Sequence, residues 1–320
     1  MNRFVSLAAA GLLSLGLVAC GGGDSGSADP AQATASPDGA VTSATSALRN
    51  NNVSQFVQLV LPEARYNEIK AKYEQEQRER GAPDAAEAAE FAEMMGKLTA
   101  ADAETALMAE LEPHLAQFEA EMAPQMPMMI GMGRGFMAQA IQQNAEMSED
   151  QKQQATKMLD AVGNWLSGVK LTDRELAKQA IAKAVAAARA LELQTLEQVQ
   201  ALSFDQAMAK AGIAFGGVKD VLAVYGFDIN AALDSTKAEV VSEQGDSARV
   251  KVSYTVLGQT ISGEQDMVRE NGRWFGKDTM KAVAEALDQP AAEAAIAEQA
   301  DEVTEEPAEV EDEEAETAEQ

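Results

Sequence analysis

Hydrophobic positions recur with two different periods along the chain, and the change of period separates a helical part from a stranded part. From about residue 38 to residue 225, apolar residues return every three or four positions, as at Val41, Ala44 and Leu48. This spacing places them on one face of a helix. Breaks rich in Asn, Pro or Gly at 50–52, 62 and 81–83 separate successive helices. The predicted helices cover about 38–49, 53–60, 63–80, 84–97, 101–122, 128–146, 149–168, 173–191 and 204–225.

Helix starts are marked by capping-box sequences. Ser148, Thr172 and Ser203 each lie three residues before a Gln or Glu. In such a box the hydroxyl accepts a hydrogen bond from the backbone N–H of that third residue, whose side chain reaches back to the capping residue. We therefore expect helices to begin directly after these three positions.

The period falls to two after Asp234. Apolar residues from Ala248 to Val256 alternate with polar ones, which is typical of a strand with one buried face. Further strands are expected at 236–242 and 259–270, and Asn271-Gly272 predicts a tight hairpin into 273–275. A last helix at 278–287 is expected to cover the sheet. The sequence thus predicts an α+β fold, predominantly helical, in which a helical body precedes a C-terminal antiparallel sheet of three or four strands.

The N-terminus has the parts of an export signal. Arg3 supplies one positive charge. The apolar run at 4–19 is shorter than the roughly 20 residues that a membrane-spanning helix needs. It ends in Leu17-Val18-Ala19-Cys20, and Leu17 fits poorly with the small residues of an ordinary secretory cleavage site. Cys20 is the only cysteine, so the chain can form no intrachain disulfide.

The segment Leu17–Cys20 resembles the lipobox of bacterial lipoproteins. The resemblance implies cleavage before Cys20, diacylglycerol on its sulfur, and an acyl chain such as palmitate on the new amino group. It also implies a signal peptide at 1–19 and a flexible tether at 20–37. In lipoproteins of didermal bacteria, Asp after the cysteine favours the inner membrane, whereas this chain has Gly21. We expect a lipid anchor in the outer membrane that faces the periplasm, with the cell surface as the other location.

The distribution of charge along the chain indicates an acidic C-terminal tail. The net charge of −27 argues against nucleic acid and anionic lipid as direct partners, because both favour basic patches. Residues 291–320 contain Asp and Glu but neither Lys nor Arg, which predicts a disordered tail over 289–320. Two roles are open for this tail: it keeps the protein solvated, or it docks a basic partner or a cation. The chain between tether and tail divides into a helical region at 38–170 and helices plus sheet at 171–288.

The C-terminal hairpin carries a second resemblance. Val268-Arg269-Glu270-Asn271-Gly272-Arg273-Trp274 and the opening Pro37-Asp38-Gly39-Ala40-Val41 are similar to sequences in uncharacterised lipoproteins of the ketosteroid-isomerase-like, SnoaL-like superfamily. The similar parts cover about 38–62 and 172–278. The resemblance implies a sheet curled around a helix, with a cavity between sheet and helices. Enzymes of this superfamily place acid or base residues in that cavity, but most lipoprotein members have no known activity.

Side chains that could carry catalysis are few. His114 is the only histidine, which excludes histidine-rich zinc sites. It follows Glu112-Pro113 in a charged helical segment, which argues against Ser-His-Asp chemistry. We expect it to be an exposed or half-buried helix residue. Glu264 and Asp266 lie on a predicted strand, but the alternation places them opposite the apolar residues. We therefore expect neither an enzyme activity nor a cofactor.

Methionine is concentrated in one segment, at Met122, Met126, Met128, Met129, Met132 and Met137. Thioethers suit Cu(I), so the first five are weak candidates for a soft-metal site. Methionine also fills irregular gaps in cores and forms adaptable binding surfaces. Core burial is the first expectation for this segment, an apolar partner or ligand surface the second, and copper the third.

These features favour a membrane-anchored periplasmic lipoprotein with a binding or accessory role. Its partner is either a protein or an apolar ligand, and nucleic acid is excluded. A ketosteroid-isomerase-like enzyme and copper binding through the Met-rich segment are the alternatives. A pocket lined only by apolar side chains would favour ligand carriage, whereas an exposed apolar helix face would favour a protein partner.

Overall fold

The computed structural model describes residues 30–145 and 147–288. In this part the chain forms thirteen α-helices, one turn of π-helix and one four-stranded antiparallel sheet. The fold is α+β and mostly helical, which confirms the predicted class. The predicted signal peptide, Cys20, the first part of the tether and the acidic tail lie outside the described residues.

The first half of the described chain is helical throughout. Its elements are α1 (Pro30–Ala33), α2 (Pro37–Arg49), α3 (Val53–Val60), α4 (Glu63–Glu79), α5 (Ala85–Thr99), α6 (Ala103–Gln117), the π-helix (Phe118–Met122), α7 (Met126–Gln143) and α8 (Glu149–Gly168). Most bounds lie within two residues of the prediction. The helix predicted at 101–122 is shorter, because the chain changes to a π-helix at Phe118.

The second half adds the sheet. Its elements are α9 (Arg174–Leu191), α10 (Leu196–Gln200), α11 (Phe204–Val224), α12 (Ile229–Asp234), β1 (Lys237–Gln244), β2 (Ser247–Val256), β3 (Gln259–Glu270), β4 (Arg273–Gly276) and α13 (Lys277–Asp288). The short helices α1, α10 and α12 have no counterpart in the prediction. Each is shorter than two turns, so it shows no clear periodicity.

The sheet is a meander in the order β1-β2-β3-β4. The predicted hairpin between β3 and β4 is confirmed, since φ is 51° at Asn271 and 80° at Gly272. Positive φ at both central residues lets the turn follow the right-handed twist of the strands. β2 alternates buried and exposed residues along most of its length, so one face of the sheet is apolar and the other faces solvent.

Helix α2 covers the apolar face of the sheet. Ala40 and Val41 of α2 pack against Val250, Val252 and Trp274, and all five side chains are buried. Full burial of a side chain as large as Val contributes about 1.5–3 kcal/mol to stability. Apolar side chains therefore fill the space between α2 and the sheet, where the superfamily resemblance implies a cavity.

The segment before α2 packs onto β4. The backbone N–H of Trp274 donates to the carbonyl oxygen of Thr34 at 2.9 Å, and Arg273 Nε donates to Thr34 Oγ1 at 2.8 Å. Thr34 is fully buried. The packed body thus includes residues 30–37, which the sequence assigned to the flexible tether. This segment has little apolar character, and its order comes from hydrogen bonds to the sheet edge.

Two of the three predicted capping boxes are confirmed. Ser148 and Ser203 each accept from the N–H three residues later, and the side chain there reaches back. The box predicted at Thr172 is wrong. Asp173 caps α9 instead, because its carboxylate accepts from two backbone N–H groups of the first turn. A further box, at Thr195, has no counterpart in the prediction.

Candidate binding surfaces

An apolar groove lies between α5, α9 and α11. Helix α9 packs against both other helices and contributes the small side chains Ala184, Ala187 and Ala188. Larger side chains come from the flanking helices, mainly Phe91, Met94 and Leu98 from α5 and Val218, Val221 and Leu222 from α11. The groove has a volume of about 490 Å³, and every residue that lines it is apolar.

The local sequence explains why these residues share one surface. On α5 the lining residues Phe91, Met94, Met95 and Leu98 follow the spacing of a single helix face. On the other side, α11 approaches α9 closely, because a Cβ atom at Gly217 would overlap the side chain of Ala187. The apolar stripes of three helices therefore face a common space. Sequence periodicity shows each stripe but assigns it to the core.

The groove is open to solvent and lies beside charged residues. Met94 is 49 % exposed and Val218 is 55 % exposed. Exposed Glu87 and Glu90 lie on the same helix as Met94. An ion pair of 3.6 Å between Lys183 and Asp220 joins α9 to α11. Contiguous apolar surface that stays in water marks an interaction site.

A second apolar surface is the outward side of α7. We call it the Met face, and it consists of Met128, Met129, Met132, Phe136 and Met137. Met132 is 65 % exposed and Phe136 is 74 % exposed. The expectation that the Met-rich segment is buried in the core is therefore wrong. Helix α7 packs along one side against α8, and within the described residues no element covers its other side.

One arginine of α7 makes polar contacts with α8, in addition to the packing of the two helices. Arg134 donates from one terminal nitrogen to Asp160 at 2.5 Å and from the other to Asn164 at 3.2 Å. Its side chain lies directly over Gly163, where a Cβ atom would meet it at 2.5 Å. Glycine at this position therefore lets the arginine cross α8 and reach both partners. The positive charge of α7 is directed inward and neutralised there.

The weak metal candidates lie along the π-helix and α7. Met128 and Met132 are one turn apart on the Met face, whereas Met126 is half-buried. Met122 and Met129 are partly exposed, at 37 % and 43 %. Within residues 30–145 and 147–288, no three or more His, Cys, Asp or Glu side chains converge on a metal site. Soft-metal binding by thioethers stays a prediction.

Another cavity, of about 380 Å³, lies between the π-helix, the start of α7 and the loop before α9. Its lining mixes apolar residues such as Met126 and Leu171 with Lys170 and Asp173. The carboxylate of Asp173 already caps α9. The mixed lining and this structural use of its carboxylate make the cavity a weaker binding candidate than the groove.

The carboxylates considered from sequence lie on the solvent side of the sheet, as the alternation predicts. Arg249 of β2 lies 3.1 Å from Asp266 and 3.7 Å from Glu264. About half of each of these three side chains is exposed, so they form a charged ladder across β2 and β3. His114 is exposed near the end of α6. These residues are therefore not brought together around a cavity.

None of the helices within residues 30–145 and 147–288 combines the length and the apolar character that a membrane span needs. Comparison with known proteins gives no relative, since no family model, curated protein or solved structure matches this chain.

Proposed function

We propose that this protein is a lipoprotein, anchored in the outer membrane through lipid on Cys20 and facing the periplasm, that binds a protein partner in its α5–α9–α11 groove. The observation that carries the binding role is the groove itself, which has a purely apolar lining and stays open to water. The Leu17–Cys20 motif supports the anchor. The role is binding rather than catalysis.

The shape of the groove favours a helix as its occupant. Alanines of α9 lie in its middle and larger side chains of α5 and α11 at its sides, so the groove runs along α9 between two flanking helices. An amphipathic helix docks in such a groove through apolar residues at positions i, i+3, i+4 and i+7. The exposed Met94 and Val218 would contact its flanks.

The charge of this protein indicates which kind of helix the groove would bind. The chain has a net charge of −27, and Glu87 and Glu90 are exposed on α5. An acidic surface attracts a basic partner and disfavours an acidic one. We therefore propose an amphipathic helix that has basic residues beside its apolar stripe. A free apolar ligand is the competing occupant.

Site-specific photo-crosslinking in intact cells tests the partner. A photoreactive amino acid replaces Met94 in the full chain, with Lys251 on the solvent side of the sheet as the control position. We expect a discrete crosslinked product from position 94 whose partner peptide maps to a basic amphipathic helix. Val218→Asp should abolish it, because an unpaired charge would enter the apolar contact. The same products from positions 94 and 251 would contradict the proposal.

Native mass spectrometry of the full lipoprotein, released from detergent, separates the two occupants. The protein with its lipid anchor but no further mass is the expected result if the groove binds a protein. A bound lipid-like molecule that Val218→Asp removes would instead assign the groove to ligand carriage. Both experiments compare the wild-type chain with Val218→Asp, and both chains carry the same N-terminus, so the difference between them reports on the groove alone.

The anchor has its own test. Cells grown with labelled palmitate should label the wild-type chain and not Cys20→Ser, because the thiol that receives the lipid is lost. Density fractionation should find the wild-type chain with outer-membrane markers. Label on the serine variant, or wild-type chain in the inner-membrane fractions, would refute the anchor or its location.

Soft-metal binding is the second candidate, and one observation favours it. Met128 and Met132 present two thioethers one turn apart on an exposed helix face, and thioethers prefer Cu(I). Titration with Cu(I) under reducing conditions, followed by native mass spectrometry, tests the idea. A 1:1 species that is lost in Met128→Leu/Met132→Leu would support it, and binding that is unchanged in that variant would exclude the Met face.

A further inference from the structure

The Met face differs from the rest of this acidic protein in its charge. Between Met122 and Ala145 the sequence contains a single charged residue, Arg134, while charged residues make up 24 % of the whole chain. That arginine is directed inward to Asp160. The outward surface of α7 therefore carries no formal charge, although it is well exposed.

We propose that the Met face is a contact between two copies of this chain, which pair through α7 in a two-fold symmetric dimer. In such a contact the same surface of the two copies meets, so like charges on that surface come close together and repel each other. Acidic surface elsewhere on a chain with a net charge of −27 would repel its copy. The uncharged Met face meets its copy without that repulsion.

The side chains of α7 suit close pairing of helices. Met132 and Phe136 are the most exposed apolar residues of the helix, and methionine adapts its shape to an opposing surface. The glycines at 131, 133 and 135 leave open space on the outside of α7, which a side chain of the second copy can enter. The glycines therefore allow close packing of the second copy, while Met132 and Phe136 supply the apolar contact area.

The available area predicts a weak dimer. Helix α7 has 18 residues and is about 27 Å long. The outward half of a helix about 10 Å wide offers on the order of 400 Å² per copy. Two copies would then bury on the order of 800 Å², slightly below the roughly 1,000 Å² of a stable interface. Anchoring both copies in one membrane raises their effective concentration and compensates for this deficit.

A lipid surface is a less suitable occupant than a second copy. In the segment that follows the tether, the backbone of Thr34 pairs with Trp274 of β4. Helix α8, which carries α7, contacts β3 near its other end, where Ser262 donates to Gln154 at 3.1 Å. Seven residues of β3, about 23 Å, separate Ser262 from Arg269, the partner of Trp274. Helix α8, to which α7 is attached, and the segment that follows the tether thus contact opposite ends of β3.

Disulfide crosslinking in vesicles tests the dimer directly. Cys20 is the only cysteine, and lipid occupies its sulfur in the mature lipoprotein, so one engineered thiol reports on one contact. Full-length lipidated chain with Met132→Cys is reconstituted in vesicles and oxidised mildly. We expect several-fold more disulfide dimer than from Lys251→Cys, an exposed position on the sheet. Equal yields from the two positions would overturn the proposal.

Charge substitutions distinguish self-pairing from collision in the membrane. Gln139→Cys, which lies on the same side of α7 as Met132, serves as the reporter. Combined with Met132→Glu or with Met132→Lys, its crosslinking should fall to the level of Lys251→Cys, because like charges meet across the two-fold axis. A mixture of the Glu and Lys chains should restore it, and Met132→Leu should retain it. A disulfide yield that is the same with and without these charges would overturn the proposed dimer.

The result is independent of the groove. The Met face and the groove are built from different helices, and Met132→Glu leaves Met94 and Val218 unchanged. If no dimer is found while the photo-crosslinked product at Met94 is still formed, only the proposed dimer is wrong. Loss of the Met94 product with an intact dimer would remove only the proposed partner site.

Discussion

Gly212 of α11 lies directly against the backbone carbonyl of Asn51. Asn51 has a φ of 59°, and a Cβ atom on Gly212 would overlap its carbonyl oxygen. One turn later, a Cβ atom on Gly216 would lie 2.6 Å from the side-chain nitrogen of Asn51. The turn between α2 and α3 therefore crosses α11 at a place where only glycine fits.

Gly212→Ala should destabilise the fold by about 1–3 kcal/mol or more, because a methyl group is forced against backbone that cannot move easily. Chemical denaturation of the full chain measures the effect. Gly96→Ala is the matched control, since position 96 lies in α5 with open space around it. That control should be neutral or stabilising by about 0.5–1 kcal/mol. Similar effects of both changes would contradict the close contact.

Lys219 joins the same region to the rest of the fold. Its Nζ donates to the carbonyl oxygens of Leu48 and Arg49 at 2.9 and 3.0 Å, and to Asn230 Oδ1 at 2.7 Å. The side chain is 2 % exposed, so it caps the C-terminal carbonyls of α2 inside the protein. Burial and the neighbouring charge of Arg49 lower the pKa of Lys219 to about 8.

The lowered pKa of Lys219 gives a pH dependence with a definite sign. The unfolded chain holds this proton up to about pH 10.5, whereas the folded chain loses it near pH 8. Since the unfolded state binds more protons between these values, the contribution of Lys219 to stability rises with pH in that window. The rise is at most about 3 kcal/mol. Below pH 8 the contribution is constant, because both states are protonated.

Comparison of wild type with Lys219→Met across pH 7–10.5 measures this contribution, since other titrating groups are common to both chains. At pH 7 the variant should be less stable by about 1–3 kcal/mol, because the three acceptors lose their donor. The difference should widen above pH 8. Lys251→Met, on the sheet surface, should show neither effect. A difference that is flat or shrinks with pH would show that the pKa of Lys219 is not lowered.

The cap of α9 can be tested by two neighbouring substitutions. Asp173→Ala should cost about 0.5–2 kcal/mol of stability, because it removes the acceptor for Glu175 N–H and Leu176 N–H. Thr172→Ala should cost less than 0.5 kcal/mol, as expected of a side chain without a capping role. Thermal unfolding monitored by circular dichroism measures both. A larger loss of stability from Thr172→Ala than from Asp173→Ala would show that Thr172 caps the helix.

The attachment of α7 to α8 should depend on Arg134. Arg134→Leu removes the bonds to Asp160 and Asn164 but keeps an apolar stem. Because the ion pair is partly exposed, we expect a loss of about 1 kcal/mol or less, felt locally as faster hydrogen exchange in α7. Global stability should change little. Asp160→Asn is the milder control, and unchanged exchange in both variants would mean that apolar packing alone holds α7.

Local sequence was enough for the longer helices, the strands and their order, but not for the short helices α1, α10 and α12 or for the π-helix. The change of period after Asp234 predicted the sheet, and Asn271-Gly272 predicted its last hairpin, because backbone preference and side-chain alternation act over a few residues. The same locality explains the error at the start of α9. Thr172 and Asp173 are adjacent residues that can both cap a helix, and the geometry of the preceding loop decides between them.

Tertiary structure alone decided which apolar surfaces are covered. The sequence shows an apolar stripe on α5 and methionines on α7, and burial was the first expectation for the methionines. Within residues 30–145 and 147–288, α7 packs along one side against α8, and α5 and α11 flank α9 without closing over it, so both stripes stay in water. The burial of Lys219 could not be predicted either, because two of its three acceptors are carbonyl groups of α2, 170 and 171 residues earlier in the chain. Hydrophobic periodicity gives the direction in which a side chain points, whereas exposure depends on whether a distant part of the chain reaches that side.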